Sequence, residues 1–574
     1  MSKRFVARLL GVGMAAATGV AVLPALPATA DQPDATPAWF DYERPATYEP
    51  VNTRIKVPVR DGTHLGCELS RPGRDGKVAS GRFPVVIWEF TPYTATHQSA
   101  TEDLVTGVEE DLLPGTESTQ TSSPAWVSRM ASHPAEYLAS RGYAVAVCDV
   151  RGTGASEGDF TTWFPAIEAR DNYDLVEWLA IQPWSNGRVG QGGSSYASLT
   201  SQRVAALKPP HLEAIVPQIA PGNIYEWVYP GGIPSTQGTT WAAMVAAVSF
   251  GRVNPVQVAK SFADHPHYDG YWRQIDVTDD LDDIRVPTLL MGGWQDVFTN
   301  GTVQSYAGRS SRTWLVMGPG QHTPPHYEPH APVPLGAQLA WWDHWLMQLP
   351  DAPLPSARVT SFEGPTADGG VWKELSEWPP ADARFQRMYL NGDRSLSTDS
   401  GMSGTTSYAV NPLDGPARSW LGDFAASYPE DPAADQSIAD RQRLTFTTDP
   451  MTEDSELAGA PHARLRAAVS APDGRFVVKV EDVAPDGKVV AVTDGYLKAS
   501  HRDGHDHEVT VTPGQFNNYE ISIKPTHWRF AEGHRLRIAV TSGDVPLLLP
   551  DSSTGSTVTI ANGADGSWVD LPWR

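Results

Sequence analysis

"GRVGQGGSSYASLTSQRVAAL", residues 187–207, decides how this 574-residue chain folds. A short strand-like run meets two glycines and two serines and then passes into a helix-compatible stretch. A strand-to-helix turn this sharp strains its central serine and exposes the hydroxyl. It closes only when the residues two before and two after that serine are small. Ser194 has Gly192 before it but the bulky Tyr196 after it, whereas Ser195 lies between Gly193 and Ala197. Only Ser195 satisfies the steric rule. The plainer alternative is an ordinary turn with a serine capping the next helix. The one literal G-x-S-x-G is "GASEG" at 154–158, and its Ser156 fails the same test. It lies beyond the strand ending near Asp149, and "GDFTTWFP" cannot begin a helix promptly, so Ser156 is expected to build a tight loop.

Outward from this turn, from about residue 50 to 350, short apolar runs alternate with helical periodicity. The runs include "FPVVIWEF" (83–90), "YAVAVCDV" (143–150), "LEAIVPQIA" (212–220), "VPTLLMGG" (286–293) and "TWLVMGP" (313–319). Continuous apolar strands separated by helices indicate a largely parallel sheet covered on both faces. In such sheets chemistry gathers beyond the carboxyl ends of the strands. Asp296 follows one such strand and His322 follows the next. A serine hydroxyl needs a base, and the base needs an orienting carboxylate. The chain order Ser195, Asp296, His322 is the order this architecture uses. Taken singly, Asp296 could cap a helix and His322 could be a surface loop residue.

The first 30 residues read as a secretory signal cleaved near Ala30. Lys3, Arg4 and Arg8 precede an apolar run, and "ATA" closes the segment. The formal charge is −23, and it becomes −26 once those three cations leave with no acid among them. Such a charge excludes nucleic acid as a partner. No later segment is long and apolar enough to span a bilayer as a helix. The expected organisation is a first sheet part at 31–222, a helical insertion at 223–285, a second sheet part at 286–352 and an all-β domain at 353–574. The insertion carries Trp227, Tyr229, Trp241 and Trp272, and reads equally as a cap over a site or as an excursion completing the core. A second insertion, 97–130, is polar and acidic. The last domain alternates apolar and polar residues between "PDG" and "ADG" turns, as an antiparallel sandwich or jelly roll does.

Cys67 and Cys148 sit in two strand-like stretches and either pair or serve as buried thiols; neither has zinc or redox spacing. His322, His326 and His330 recur every four residues, but Pro324, Pro325 and Pro329 forbid the helix that would align them on a metal. "SHRDGHDHEV" holds His501, His505 and His507 among acids and reads as a solvated hairpin loop.

These motifs together resemble the cocaine-esterase-like (CocE/NonD) hydrolases and the related X-Pro dipeptidyl-peptidases. The likeness spans roughly residues 50–565. It runs through "VPVRDGTHLGCELSRP", "RGYAVAVCDVRGTGASEGDF", "PTLLMGGWQDVF", "GPGQH", "DPMTEDSELAGAP" and "EGHRLRIAVTSGDVP". The resemblance implies an α/β-hydrolase fold with a helical cap, followed by a C-terminal jelly-roll-like domain. It implies Ser195, Asp296 and His322 as catalytic residues, with the Tyr93 hydroxyl and the Tyr196 backbone N–H as oxyanion donors. Ser198 stands where the family usually has glycine. No cofactor and no metal are expected. The substrate would be a small molecule or short peptide: an acyl ester or amide, or alternatively an Xaa-Pro dipeptide, whose ammonium would need a carboxylate such as those in the loop with Glu109, Glu110 and Asp111. A third reading is an inert hydrolase domain carrying a carbohydrate- or surface-binding jelly roll.

Overall fold

The apolar runs at 83–90 and 143–150 become adjacent parallel strands inside one large sheet. The structure is a computed structural model describing residues 36–93, 134–248, 253–307, 312–327, 331–365, 369–415, 435–545, 547–550 and 555–574. The signal-like residues 1–30, the acidic loop 97–130 and His330 lie outside the described residues.

The strands of this sheet are β1 (Glu49–Pro58), β2 (His64–Arg74), β3 (Lys77–Val78), β4 (Phe83–Thr91), β5 (Ala144–Asp149), β6 (Ser185–Ser194), β7 (Leu212–Gln218), β8 (Thr288–Gly293), β9 (Thr313–Gly318), β10 (Val359–Glu363) and β11 (Val371–Leu375). Their order is β1-β2-β5-β4-β6-β7-β8-β9-β10-β11, with β3 beside β2. From β5 to β10 the neighbours run parallel, while β1, β2 and β11 join antiparallel. The chain steps from β4 outward to β5, then returns past β4 to β6 and proceeds the other way. That reversal is a topological switch point, where a crevice opens at the strand ends. Strands β4, β5, β8 and β9 are buried along their whole length, which is why their sequences are predominantly apolar, with Glu89 and Asp149 as buried charged exceptions. Strands β10 and β11 follow residue 352 in sequence yet extend this same sheet.

Cys67 on β2 lies directly opposite Cys148 on β5, and the two form a disulfide. The structure thus selects one of the two options the sequence left open, because register puts the side chains face to face on adjacent strands.

Ser185–Ser194 leads through Ser195 into a helix, α2 (Tyr196–Ala206), preceded in the chain by α1 (Ala166–Ala180). Between β7 and β8 the expected insertion is helical: α3 (Ile224–Val228), α4 (Gln237–Val248), α5 (Pro255–Ala263) and α6 (Gly270–Ile275). Asn223, Asn254 and Asp269 cap α3, α5 and α6 by accepting first-turn N–H bonds. Trp241, Phe262 and Trp272 of this insertion share one apolar cluster with Val85 and Ile87 of β4. Trp163 stacks on Trp241 with ring centroids 3.9 Å apart. The insertion therefore completes the core and, as the site geometry shows, also roofs the crevice.

The C-terminal strands form two antiparallel sheets. Among the described residues, a four-stranded one contains 444–447, 535–541, 475–483 and 489–498 in that spatial order, and the other has nine strands. Their inner faces pack Leu465, Phe476, Val478, Phe530 and Ile538 into a separate core. Sheet, insertion and β domain belong to one compact unit, Thr36–Arg574.

Candidate active site

Ser195 has φ 55° and ψ −113°, a left-handed conformation that costs a side-chain-bearing residue about 1–3 kcal/mol and recurs where function demands it. Its N–H donates to the Gln218 carbonyl at 2.9 Å, and its own carbonyl accepts from Ser198 N–H at 3.1 Å. The Ser198 hydroxyl adds a second bond to that carbonyl at 2.6 Å and so braces the turn. A Cβ on Gly193 would lie 2.6 Å from the Ala197 methyl and 2.6 Å from the Trp88 carbonyl oxygen. Gly193 is thus required by close approach, with Ala197 and the Trp88 carbonyl filling the space a side chain there would need. Although Ser195 occupies the cap position of α2, its hydroxyl caps nothing. The plain capping alternative does not hold.

Instead, the hydroxyl faces an imidazole. His322 Nε2 lies 3.0 Å from Ser195 Oγ, and His322 Nδ1 lies 2.9 Å from Asp296 Oδ1. With Nδ1–H donating to the carboxylate, Nε2 is left as the acceptor for the serine proton. Asp296 is buried, and its loop is tied to the His322 loop by two backbone bonds. Trp294 N–H donates to the Gly318 carbonyl at 2.9 Å, and Gln295 N–H to the Gly320 carbonyl at 3.2 Å. Phe298 meets the His322 ring edge-on at 5.0 Å and limits its exposure. Residues 195, 296 and 322, far apart in sequence, therefore meet past the ends of β6, β8 and β9.

Tyr93 lies just beyond β4, next to β6 at the switch point. Burial pushes its phenol well above the ordinary range, so the group stays protonated and can donate. Trp241 Nε1–H donates to Tyr93 Oη at 2.8 Å. The Tyr93 phenol also hydrogen-bonds the Ser195 hydroxyl, which places the phenol beside Ser195 Oγ. The N–H of Tyr196 is the first of α2 and has no intrahelical acceptor. The Tyr196 hydroxyl donates to the buried Glu168 carboxylate at 2.6 Å, and its ring stacks on Phe164 at 4.1 Å. Burial raises Glu168 to about 7. Glu89, on β4 under the turn, accepts the Ser194 N–H at 3.1 Å and is pushed up to about 8 by burial.

A narrow pocket opens beside Ser195 and His322. Its walls are Phe164, Tyr196, Pro221, Ile224, Trp227, Trp241, Val297 and Phe298. Among the described residues this wall contains no carboxylate. Trp241, Glu168 and Glu89 were not singled out as site residues by sequence. Trp241 carried a faint signal as an aromatic of the insertion, and Glu89 carried one as the lone charge within the apolar run 83–90, whereas Glu168 carries none, since only folding buries it.

Ser156 behaves as a loop residue. Its Oγ donates to the Asp149 carbonyl at 2.6 Å and accepts the Gly66 N–H at 2.9 Å, deep in the fold. His326 lies in a short 3₁₀ turn over Pro325–Tyr327, so no helix aligns it with His322.

Residues 61–324 match the family described as X-Pro dipeptidyl-peptidase (S15 family), and residues 352–563 match its C-terminal non-catalytic domain. A cocaine esterase of Rhodococcus sp. is 27% identical over 88% of this chain and 93% of its own length. A crystal structure of a CocE/NonD family hydrolase from Staphylococcus aureus superposes with TM-score 0.73 at 21% identity, covering 95% of this chain and all of that one (100%). An α-amino acid ester hydrolase gives TM-score 0.73 at 21% identity over 93% of this chain and 98% of its own. These two likenesses show the shared fold.

Proposed function

We propose that this chain, which belongs to the CocE/NonD family of serine hydrolases related to the X-Pro dipeptidyl-peptidases, is an exported acyl-ester or amide hydrolase working through Ser195, His322 and Asp296. The observation that carries the reading is the unbroken hydrogen-bond chain from Ser195 Oγ through His322 to Asp296. His322 Nε2 takes the serine proton as Oγ attacks the acyl carbonyl, while Asp296 holds the imidazole tautomer. The Tyr93 hydroxyl and the Tyr196 N–H receive the negative charge of the tetrahedral intermediate. Collapse expels the alcohol or amine, which takes its proton from His322. Water then repeats the sequence on the acyl-enzyme and frees the acid.

The apolar pocket beside Ser195 suits an uncharged acyl group. The second reading, an X-Pro dipeptidyl-peptidase, has in its favour the description of the matching family. It needs a carboxylate for the substrate ammonium, and the pocket wall among the described residues offers none. Turnover of a p-nitrophenyl ester against Gly-Pro-p-nitroanilide separates the two. The ester should be cleaved with the higher kcat/KM, and a reversed ranking would establish the peptidase.

Export is supported by the signal-like first 30 residues and by the Cys67–Cys148 bond, since disulfides persist in oxidising compartments. N-terminal sequencing of protein recovered from culture medium should begin at or near Asp31; intracellular protein retaining Lys3 and Arg4 would contradict it.

A further inference from the structure

Away from Ser195, the insertion and the β domain meet at a group of imidazoles. The 500–509 stretch is not the solvated hairpin expected from its polar sequence, because the insertion docks on it and buries His501. His267 comes from the segment between α5 and α6, and His501 and Glu508 from the loop after strand 489–498. One ligand-type atom from each of these three residues lies within 4.8 Å of the other two. The rings of His267 and His501 stack at 5.6 Å with an interplanar angle of 5°. His501 Nε2 lies 3.7 Å from Glu508 Oε1.

We propose that His267, His501 and Glu508 form a binding site for a divalent transition metal of the Zn2+ type, which pins the helical insertion to the β domain. Two imidazole nitrogens and one carboxylate oxygen are the donor set that borderline metals prefer, with water completing the coordination. Bonds of about 2.0–2.2 Å to a tetrahedral ion hold ligand atoms roughly 3.3–3.5 Å apart. The 3.7 Å separation of His501 Nε2 and Glu508 Oε1 is already close to that. Glu508 is exposed and His267 half-buried, so both side chains have room to draw in.

The scaffold that would hold the ligands is in place. The His501 ring packs on Gly232, where an added Cβ would lie 2.4 Å from Nδ1. Tyr268, next to His267, donates its N–H to the His505 carbonyl at 2.7 Å and so fixes the two loops together. His501 Nδ1 and His505 Nδ1 are 3.2 Å apart, so a proton on one nitrogen can be donated to the other. With that proton on His501, its Nε2 presents a lone pair toward Glu508, the outer-partner arrangement typical of metal-bound histidine. His505 is accordingly a positioning residue. Lys498 Nζ bonds Glu508 and also lies 3.4 Å from Asp473 Oδ2, so it retains an anion when Glu508 turns to a metal. His507 takes no part, being exposed and paired with Asp506.

The test uses the full chain, stripped with chelator and titrated with Zn2+ by calorimetry and with Co2+ by visible absorption. Binding of one equivalent is expected, with ester turnover unaltered. His267→Ala and Glu508→Gln should each raise Kd at least tenfold, His505→Ala by about 10–100-fold, and His507→Ala not at all. His267→Gln, which keeps size and polarity, serves as the second variant should the alanine variant lose its circular dichroism. Absence of saturable binding, or binding unchanged in the His267 and Glu508 variants, overturns the proposal.

Discussion

The indole N–H of Trp241 donates to the phenol oxygen of Tyr93 at 2.8 Å, joining the helical insertion to the rim of the sheet next to Ser195. The bond holds the Tyr93 phenol in place beside Ser195, and so couples the insertion to the proposed oxyanion donor.

Loss of Tyr93 as a donor should therefore be costly. Tyr93→Phe is expected to lower kcat on a p-nitrophenyl ester by about 10²–10³-fold, the usual effect of removing one oxyanion donor. Trp241→Phe keeps the aromatic wall but frees the phenol to rotate, and should lower kcat about tenfold with little change in KM. Steady-state kinetics of the two variants checks both; unaltered kcat in Tyr93→Phe would remove the phenol from the mechanism.

Ser156 and Ser195 should separate cleanly. Ser156→Ala leaves the buried Gly66 N–H without its acceptor, so stability should fall by about 1–3 kcal/mol while kcat is preserved. Urea unfolding alongside ester turnover measures the pair of effects. A large drop in kcat at native stability would contradict the loop assignment.

Glu89 supplies a pH signature. Its ordinary value of 4.5 is raised to about 8 in the folded chain. Between those two values the native state keeps a proton that the unfolded state has released, so stability falls as pH rises and levels off above the upper value. Glu89→Gln accepts the same Ser194 N–H without the charge. Its advantage over the parent should be absent below the lower value and grow across the window to a few kcal/mol, at about 1.4 kcal/mol for each pH step of one. Glu168 adds a similar slope to both proteins, which cancels in the difference. Unfolding midpoints that stay parallel across the window would show that Glu89 ionises normally.

The Cys67–Cys148 bond closes a loop with sequence separation 81. Replacing both cysteines with alanine should cost about 2–4 kcal/mol, chiefly by freeing the unfolded chain. Thiol titration of the denatured, unreduced protein should find no free cysteine; two titratable thiols would show the pair reduced.

The strands near Ser195 were legible because complete burial leaves continuous apolar runs, and the turn itself because steric closure dictates small residues at Gly193 and Ala197. Asp296 and His322 were legible because a parallel sheet presents successive strand ends on one side. Strands β10 and β11 were not assigned to this sheet, since both are short runs mixing polar and apolar residues, without the apolar continuity that marked the buried parallel strands. The sequence left the cysteine pairing open because register depends on how β2 docks against β5. Trp241, Glu168 and Glu89 draw their importance from contacts made only on folding: Glu168 reads as one more polar residue of a helix, and it is Tyr196, 28 positions away, that makes it matter. His267 and His501 likewise belong to separate segments until the insertion docks on the β domain.

The reading of Ser195 as a nucleophile activated by His322 and oriented through Asp296 is tested most directly by a fluorophosphonate probe followed by peptide mapping. One adduct per chain on Ser195 is expected, lost in Ser195→Ala, slowed by orders of magnitude in His322→Ala and retained in Ser156→Ala. A native, folded protein that stays unlabelled, or that carries the adduct on another serine, would contradict it.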